Sequence, residues 1–130
     1  MKKKVFKLTR SETEIMDLLW KEGRPLSRSE IIELTPDRSW KPSSIHILLN
    51  SMLEKEAIKV SGFVQSTKNY ARTFSPTMTA DEYAIMQIKD RPGFEVKSIP
   101  HLMAALMDDE IDSTIIKELE ALIQNKKETQ

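Results

Sequence analysis

Three features of the sequence predict a mainly α-helical fold with a small β-wing. Helix-start patterns recur at three places, and apolar residues follow each of them at helical spacing. After the predicted helix at residues 42–55, apolar residues recur at every second position, as in a β-hairpin. Towards the C-terminus their spacing becomes helical again. Three helices followed by a hairpin make a winged helix-turn-helix, which we expect over residues 1–75. Residues 76–130 are expected to form an all-α domain.

The three helix starts are capping boxes, in which Ser or Thr is followed three residues later by Glu. The hydroxyl accepts from a free N–H of the first turn, and the Glu carboxylate accepts from the N–H of the capping residue. The pairs are Thr9 with Glu12, Ser27 with Glu30, and Thr79 with Glu82. Each pair predicts that a helix begins there.

The first two helices are bounded by helix-breaking residues. The first is expected from about Arg10 until Gly23, because glycine commonly ends a helix in a left-handed conformation. The second should run from Ser27 through Leu34, bury Ile31 and Leu34, and stop before Pro36, which disfavours helical backbone in the preceding residue. A turn then leads to a third helix.

The third helix, over residues 42–55, opens with Pro42 in the favoured first position. Its apolar residues follow the spacing of one buried stripe: Ile45, Leu48, Leu49, Met52 and Leu53. The opposite face carries Ser43, Ser44, His46, Ile47, Asn50 and Ser51. In a helix-turn-helix, exposed side chains near the start of this helix meet base edges in the major groove.

Residues 57–74 alternate in the manner of a hairpin and form the predicted wing. Ile58 and Val60 alternate with polar residues in the first strand, and Tyr70, Arg72 and Phe74 do so in the second. The segment from Gly62 to Asn69 is expected to connect the strands and form the tip of the wing, together with Lys68.

The C-terminal part has two further helical stripes and no predicted strand. Two or three helices within 55 residues cannot close a core of their own, so burial against a second copy of the chain is expected. The predicted interface of this homodimer consists of Leu102, Met103, Leu106, Met107, Ile115, Ile116, Leu119, Leu122 and Ile123.

The formal net charge is zero, but the charges are unevenly distributed. Residues 1–74 carry 14 Lys and Arg against 9 Asp and Glu, whereas residues 75–130 carry 6 against 11. This distribution is either accidental or a sign that the N-terminal part meets a polyanion.

Composition argues against catalysis and membrane insertion. The chain has no cysteine and two histidines, and it has neither a glycine-rich phosphate loop nor a metalloprotease motif. We therefore expect no enzyme, no cofactor and no metal site. No apolar run is long enough to span a bilayer, and the N-terminal lysines are not followed by a signal-peptide segment. A cytoplasmic protein without a membrane partner is expected.

Double-stranded DNA is the expected partner. Ser43, Ser44 and His46 can exchange hydrogen bonds with base edges, and Ile47 can pack on a thymine methyl group. The candidates for phosphate contacts are cations around them: Arg28, Arg38, Lys41, Lys55, Lys68 and Arg72, with the Lys2–Lys4 tail. The alternative hypothesis is a winged-helix module that binds another protein without sequence-specific DNA binding.

Three stretches resemble the penicillinase repressor family, which includes the methicillin-resistance and copper-responsive repressors. They are LTRSETEIMDLLW from Leu8 to Trp20, WKPSSI from Trp40 to Ile45, and the aromatic-Ser-Pro sequence that ends at Pro76. The resemblance implies a dimeric transcriptional repressor of a β-lactam-resistance or related stress operon. Such a repressor binds a palindromic operator with one winged helix per half-site and a C-terminal dimerisation domain.

The chain departs from the family pattern within the predicted DNA-binding surface. Lys41 replaces the usual Ser, Ser43 replaces a Lys, and Tyr70 aligns with the wing Arg. In the β-lactam branch a protease of a sensor pathway cleaves an Asn-Phe bond, but residues 102–108 contain neither Asn nor Phe. The copper branch uses cysteines, so copper sensing through thiolates is excluded here. The inducing signal stays open.

Overall fold

The computed structural model describes residues 4–65, 69–107 and 111–129. The chain divides into two compact units, Met1–Arg91 and Pro92–Gln130. The first unit contains helices α1 to α4, strands β1 to β3 and one 3-10 turn, in this order: α1 (Arg10–Glu22), β1 (Leu26–Ser27), α2 (Arg28–Glu33), the 3-10 turn (Pro42–Ser44), α3 (Ile45–Glu54), β2 (Ile58–Gln65), β3 (Tyr70–Pro76) and α4 (Ala80–Asp90). This order is that of a winged helix-turn-helix followed by one more helix, and it confirms the predicted fold class.

The three predicted capping boxes are all formed. In each, the hydroxyl accepts from the N–H of the glutamate three residues on, and the glutamate accepts from the N–H of the capping residue. Gly23 ends α1 with a φ of 66°, a left-handed conformation that a residue with a Cβ adopts only with strain. The starts of these three helices and the end of α1 are therefore set by residues within one turn of each boundary.

The three strands form an antiparallel sheet in the order β1-β3-β2. Leu26 pairs with Phe74, and the two long strands pair from Ile58 opposite Pro76 to Gln65 opposite Tyr70. A bulge lies between Val60 and Gly62. Two details differ from the prediction: the link before α2 forms the short strand β1, and β2 continues through residues 62–65, which were expected in the loop.

The core of the first unit lies between α1, α2, α3 and the base of the sheet. Its fully buried side chains are those of Ile15, Met16, Leu19, Leu26, Ile31 and Met52. Burying each such side chain contributes roughly 1.5–3 kcal/mol to folding. The prediction for Leu34 was wrong: this residue lies just beyond the end of α2 and is 39% exposed, and Ile32 packs partly against the core.

Helix α4 belongs to the first unit, so this unit extends beyond residue 75, where the sequence suggested a boundary. The Tyr83 ring stacks on Phe6 with 5.6 Å between centroids, and its hydroxyl accepts from the Leu8 N–H. Gln87 donates to the Phe6 carbonyl, and the Trp20 indole donates to the Met78 carbonyl. Stacking and hydrogen bonds thus join α4 to the segment before α1.

The second unit contains a 3-10 turn (Val96–Ser98), α5 (Ile99–Leu106) and α6 (Ser113–Glu128). The Asp112 carboxylate caps α6 by accepting from the N–H groups of Thr114 and Ile115. Residues 108–110 lie outside the described residues. In the described part of this unit no side chain is fully buried. Of the helices that the structure describes, none is long and apolar enough to cross a bilayer.

Candidate nucleic-acid interface

Helix α3 is introduced by a short segment that sets its direction. Lys41 is extended, and Pro42 follows at the first position of the 3-10 turn that leads into α3. Trp40 is buried just before this turn, with the Arg38 guanidinium 5.4 Å from its ring centroid. Pro42 suits this place because it lacks the N–H that a first-turn residue would leave unpaired.

The inner face of α3 is anchored by apolar contacts and by one buried carboxylate. Ile45, Leu49 and Met52 are buried, as the spacing predicted. Glu12 of α1 accepts from the Ser51 hydroxyl at 2.7 Å and from the Lys55 ammonium group, while it also completes the capping box with Thr9. The carboxylate therefore connects the first turn of α1 to the C-terminal end of α3.

The environment of Glu12 stabilises its ionised form. Burial raises the pKa of this carboxyl, but the hydrogen bonds from Lys55, the Thr9 backbone and Ser51 lower it by more, so that the pKa lies below its ordinary value. The carboxylate is charged wherever the protein is folded at neutral pH. Its partners require that charge, since Lys55 would otherwise face a neutral acid.

The outer face of α3 leaves the predicted base-facing residues accessible. Ser43, His46 and Ile47 are exposed, and Ser44 is half-buried. Ile47 is 72% exposed, although it is a large aliphatic residue in the middle of a folded unit. An isolated exposed isoleucine needs no explanation, but this one follows His46 directly and precedes Asn50 by three residues, and both of these polar residues line a cleft.

A cleft of about 350 Å³ separates the wing from α2 and α3. Arg28 and Ser29 line it from the start of α2, His46 and Asn50 from α3, and residues 69–72 with Phe74 from the wing. The Arg28 Nη1 atom lies 2.9 Å from the His46 Nδ1 atom. The structure thus brings together three elements that are far apart in the sequence.

The cations proposed for phosphate contact are not equivalent in the structure. Arg28 and Arg72 line the cleft, with the Arg72 guanidinium 5.3 Å from the Phe74 ring centroid, and Lys41 is exposed beside the 3-10 turn. Arg38, in contrast, donates to the carbonyls at the end of α2, and Lys55 is held by Glu12 and the Lys7 carbonyl. These two side chains have structural partners that the sequence analysis did not foresee.

Two further candidates lie outside this group. Lys68 lies outside the described residues, as do the first two lysines of the Lys2–Lys4 tail. The remaining lysine of the tail, Lys4, donates to the Glu54 carbonyl at the end of α3.

The sequence analysis missed residues that the cleft brings into the candidate interface. Asn50 was placed on the outer face of α3 but was not selected as a contact, although it follows His46 by four residues and so lies on the same face. Tyr70 and Ser29 also line the cleft. The family resemblance had placed Tyr70 at the position of the wing Arg without assigning it a contact, whereas no local signal marked Ser29, which only the fold brings beside α3.

The predicted dimer-interface residues lie on α5, at its C-terminal end, and on α6. Six of the nine are exposed and the other three, Met103, Met107 and Leu119, are half-buried. Leu106 is 74% exposed and Leu122 is 60% exposed. The apolar stripes therefore remain largely uncovered in the single chain.

Among solved structures, the chain is similar to Bacillus subtilis PadR in complex with operator DNA, with 18% identity, 88% of this chain and 70% of that chain covered, and a TM-score of 0.48. It is also similar to the zinc-responsive MarR family member ZitR of Lactococcus lactis, with 20% identity, coverage of 92% and 77%, and a TM-score of 0.46. The adhesin competence repressor AdcR of Streptococcus pyogenes has 12% identity, coverage of 95% and 80%, and a TM-score of 0.43.

Sequence comparison identifies the family. Residues 8–125 match the penicillinase repressor family. A curated relative, an uncharacterized 16.5 kDa protein in the ptsI 3′ region of Latilactobacillus sakei, is 30% identical over 126 residues, which cover 94% of this chain and 82% of that protein. The match includes both compact units, so it covers α5 and most of α6 as well as the winged helix. The chain therefore belongs to the penicillinase repressor family and is a DNA-binding transcriptional repressor rather than an enzyme.

Proposed function

We propose that this chain acts as a homodimer that represses transcription by binding a palindromic operator through the recognition helix, residues 42–55, and the wing, residues 57–74. The observation that carries the proposal is the cleft between the wing and α3. Arg28, His46, Asn50 and Arg72 converge there beside the exposed Ile47. Two cations, two hydrogen-bonding side chains and an apolar group match the phosphates, base edges and thymine methyl groups of a major groove.

The base-reading set in this proposal is Ser43, Ser44, His46 and Ile47, extended by Asn50. An asparagine amide can bind adenine through two hydrogen bonds, and a serine hydroxyl can donate or accept at either base pair. Asn50 and His46 are exposed on adjacent turns of α3, so their side chains can reach neighbouring base pairs. Together they would give the helix a sequence preference that the cations alone could not provide.

The phosphate-contact set is Arg28, Lys41 and Arg72, with Lys68 retained as a candidate outside the described residues. Arg38 and Lys55 are not included in the proposed set. Arg38 donates to a backbone carbonyl, and Lys55 donates to the Lys7 carbonyl and to Glu12. Charge supports this assignment, since residues 1–91 contain 16 Lys and Arg against 12 Asp and Glu. Residues 92–130 contain 4 against 8 and would repel a phosphate backbone.

Dimerisation is proposed for the apolar faces of α5 and α6. On α6 the residues Ile115, Leu119, Leu122 and Ile123 recur at helical spacing, and they are exposed or half-buried in the single chain. A second copy related by a two-fold axis would cover the same face on both chains. Such a dimer would present two winged helices to half-sites separated by about one helical turn of DNA or a multiple of it.

The proposed target is a β-lactam-resistance or related stress operon, as membership of the family suggests. A regulatory protease of a sensor pathway is a proposed partner. Residues 102–108 contain neither Asn nor Phe, so this protease would have to cut at a sequence other than Asn-Phe. Incubating the purified dimer with candidate sensor proteases and mapping the fragments by mass spectrometry tests this part of the proposal separately from DNA binding.

The central experiment is a binding titration with a duplex that the protein itself selects from a random pool. We expect affinity for this duplex to exceed that for scrambled DNA and to fall with salt, with a log-log slope of about −0.9 for each phosphate neutralised. Replacing Ser43, His46 and Asn50 by alanine should abolish the preference, while Lys21→Ala on an exposed part of α1 serves as the matched control.

Two outcomes would contradict this function. Equal binding of selected and scrambled duplexes would exclude sequence-specific repression. A triple variant that keeps its DNA affinity but loses a protein partner would favour the alternative, a winged-helix module that binds protein.

A further inference from the structure

The wing carries the two exposed aromatic side chains of the protein. All eight aromatic residues lie within the described part of the chain, and six of them are buried or half-buried. Phe63 is 65% exposed and Tyr70 is 70% exposed, and both lie near the tip of the β2-β3 hairpin. Aromatic side chains contribute large apolar surfaces when a partner covers them, so their concentration on one hairpin indicates a contact surface.

The register of the hairpin puts both aromatic side chains on one face. Phe63 pairs with Arg72, and Gln65 pairs with Tyr70. Directly opposite residues of antiparallel strands share a face, and so do residues two apart on one strand. Phe63, Tyr70 and Arg72 therefore lie on the same side, whereas Val64 and Ala71 lie on the other.

This face is continuous with the proposed DNA-binding surface. Tyr70 and Arg72 line the cleft whose opposite wall includes His46 and Asn50 of α3. The eight residues of β2 span about 26 Å at ~3.3 Å per residue. That length exceeds the major-groove width of about 12 Å, so a wing laid across the DNA beside a helix in that groove would be long enough to reach the neighbouring groove.

We propose that Phe63 and Tyr70 enter the DNA minor groove beside each major-groove contact and make the protein prefer A·T pairs there. The inference rests on the proposed function. Phe63 has no polar atom, so it contributes only apolar contact there, as the apolar side chains of minor-groove proteins do. The Tyr70 hydroxyl donates to adenine N3 or thymine O2, while the N2 amino group of guanine obstructs the floor of the groove.

Arg72 lies opposite Phe63 and two residues from Tyr70 on this face, and it supplies the cation of the contact. An arginine is attracted to the negative potential of a narrow A·T minor groove or to the phosphates at its rim. The three side chains thus contribute to DNA binding in two ways. Arg72 contributes electrostatic attraction, and the aromatic pair contributes contact with sugars and base edges. The two kinds respond differently to salt, which makes them distinguishable.

The test uses the duplex selected by the wild-type protein, with the pairs beside the α3 contact changed to A·T, G·C or inosine·cytosine. An inosine·cytosine pair has the major-groove face of G·C but lacks the N2 amino group in the minor groove. We expect the wild-type protein to bind the A·T and inosine duplexes about tenfold more tightly than the G·C duplex. The variant F63A/Y70A should bind all three equally.

Val64→Ala is the matched control, because Val64 is an exposed apolar residue of the same hairpin on the opposite face. It should keep the preference for A·T and inosine. The salt slope should be unchanged in F63A/Y70A, whereas Arg72→Ala should reduce it by about 0.9. Because Phe63 and Tyr70 are exposed, F63A/Y70A should keep the melting temperature of the wild-type protein, which circular dichroism can verify.

Three results would overturn the inference. Binding of the inosine duplex like the G·C duplex would assign the preference to the major groove. An unchanged preference in F63A/Y70A would remove the aromatic pair from the contact. Loss of self-association in this variant, measured by sedimentation, would assign the pair to a second copy of the chain. If the wild-type protein selects no sequence at all, the proposed function itself fails.

Discussion

Helices α3 and α6 have similar amphipathic patterns but different surroundings. The apolar stripe of α3, with Leu49 and Met52, is buried against α1 and the sheet, whereas the stripe of α6, with Leu122 and Ile123, remains exposed in the single chain. Spacing alone therefore indicates that a face will be covered, but not by what. For α3 the cover is the rest of the same unit, and we propose that its exposed polar face meets DNA. For α6 we propose that a second chain supplies the cover.

The strongest way to test this contrast is to remove one core contact of α3. We expect Leu49→Ala to lower the free energy of unfolding by roughly 2–5 kcal/mol, because it leaves a cavity beside the buried stripe. Urea denaturation followed by circular dichroism measures the change. A loss below 1 kcal/mol would mean that the stripe of α3 is not packed as described.

The buried carboxylate gives a second, pH-dependent test of the anchoring of α3. Replacing Glu12 by Gln removes a charge that pairs with Lys55, and we expect a loss of about 1–3 kcal/mol at neutral pH. Since the pKa of Glu12 is lowered in the folded protein, the ionised group stabilises the fold above the pKa of an unfolded glutamate. That contribution disappears as the pH falls through the folded-state pKa.

Denaturation of the wild-type protein and Glu12→Gln across the acidic range measures this effect. The difference in stability should shrink as the pH falls. Glu14→Gln is a useful comparison, because Glu14 is a half-buried carboxylate that accepts from Ser39 and has no cationic partner like Lys55 among its hydrogen bonds. A difference that stays constant with pH would show that Glu12 acts through packing instead of charge.

For α6 the expected effect appears in association instead of folding. Leu122→Ala should weaken dimerisation by roughly 1–2 kcal/mol per chain, because it removes most of a leucine side chain from the proposed interface. Sedimentation equilibrium measures the dissociation constant. The melting of the first unit should stay the same, with Lys117→Ala as an exposed control on the same helix. An unchanged dissociation constant would contradict a dimer built on this face.

The smallest expected effect concerns a helix cap at the edge of the proposed interface. Ser27→Ala removes the hydroxyl that accepts from the Glu30 N–H at the start of α2, and we expect a loss of about 1 kcal/mol. The same substitution should weaken DNA binding slightly, because Arg28 begins the helix that this cap secures. Thermal melting and the binding titration report the two effects separately.

The features that could be predicted from the sequence are those set by residues close to one another in the chain. The caps at Thr9, Ser27 and Thr79 and the end of α1 at Gly23 depend on residues within one turn, and all of them form as expected. The inner stripe of α3 was also predictable, because helical geometry alone puts its residues on one face.

The features that the sequence did not disclose depend on distant residues. Lys55 was assigned to phosphate contact, yet it pairs with Glu12, which lies 43 residues earlier in the chain. Arg28 meets His46 across 18 residues, and β2 extends to Gln65 because β3 pairs with it that far. Leu34 was expected in the core, but α2 ends before it. Each of these outcomes depends on tertiary placement that no local pattern encodes.

The short extended segment before α1 has a mechanical consequence. Lys4 and the Lys7 carbonyl are bonded to the C-terminal end of α3, through the Glu54 carbonyl and Lys55 respectively. In the same segment, the Phe6 carbonyl accepts from Gln87 of α4, and the Leu8 N–H donates to the Tyr83 hydroxyl of α4. This strip of backbone is thus a tether that fastens the far end of the recognition helix to α4. Because the Phe6 and Leu8 side chains belong to the hydrophobic core, a displacement of α4 would reach the far end of the recognition helix through these hydrogen bonds and through the core together.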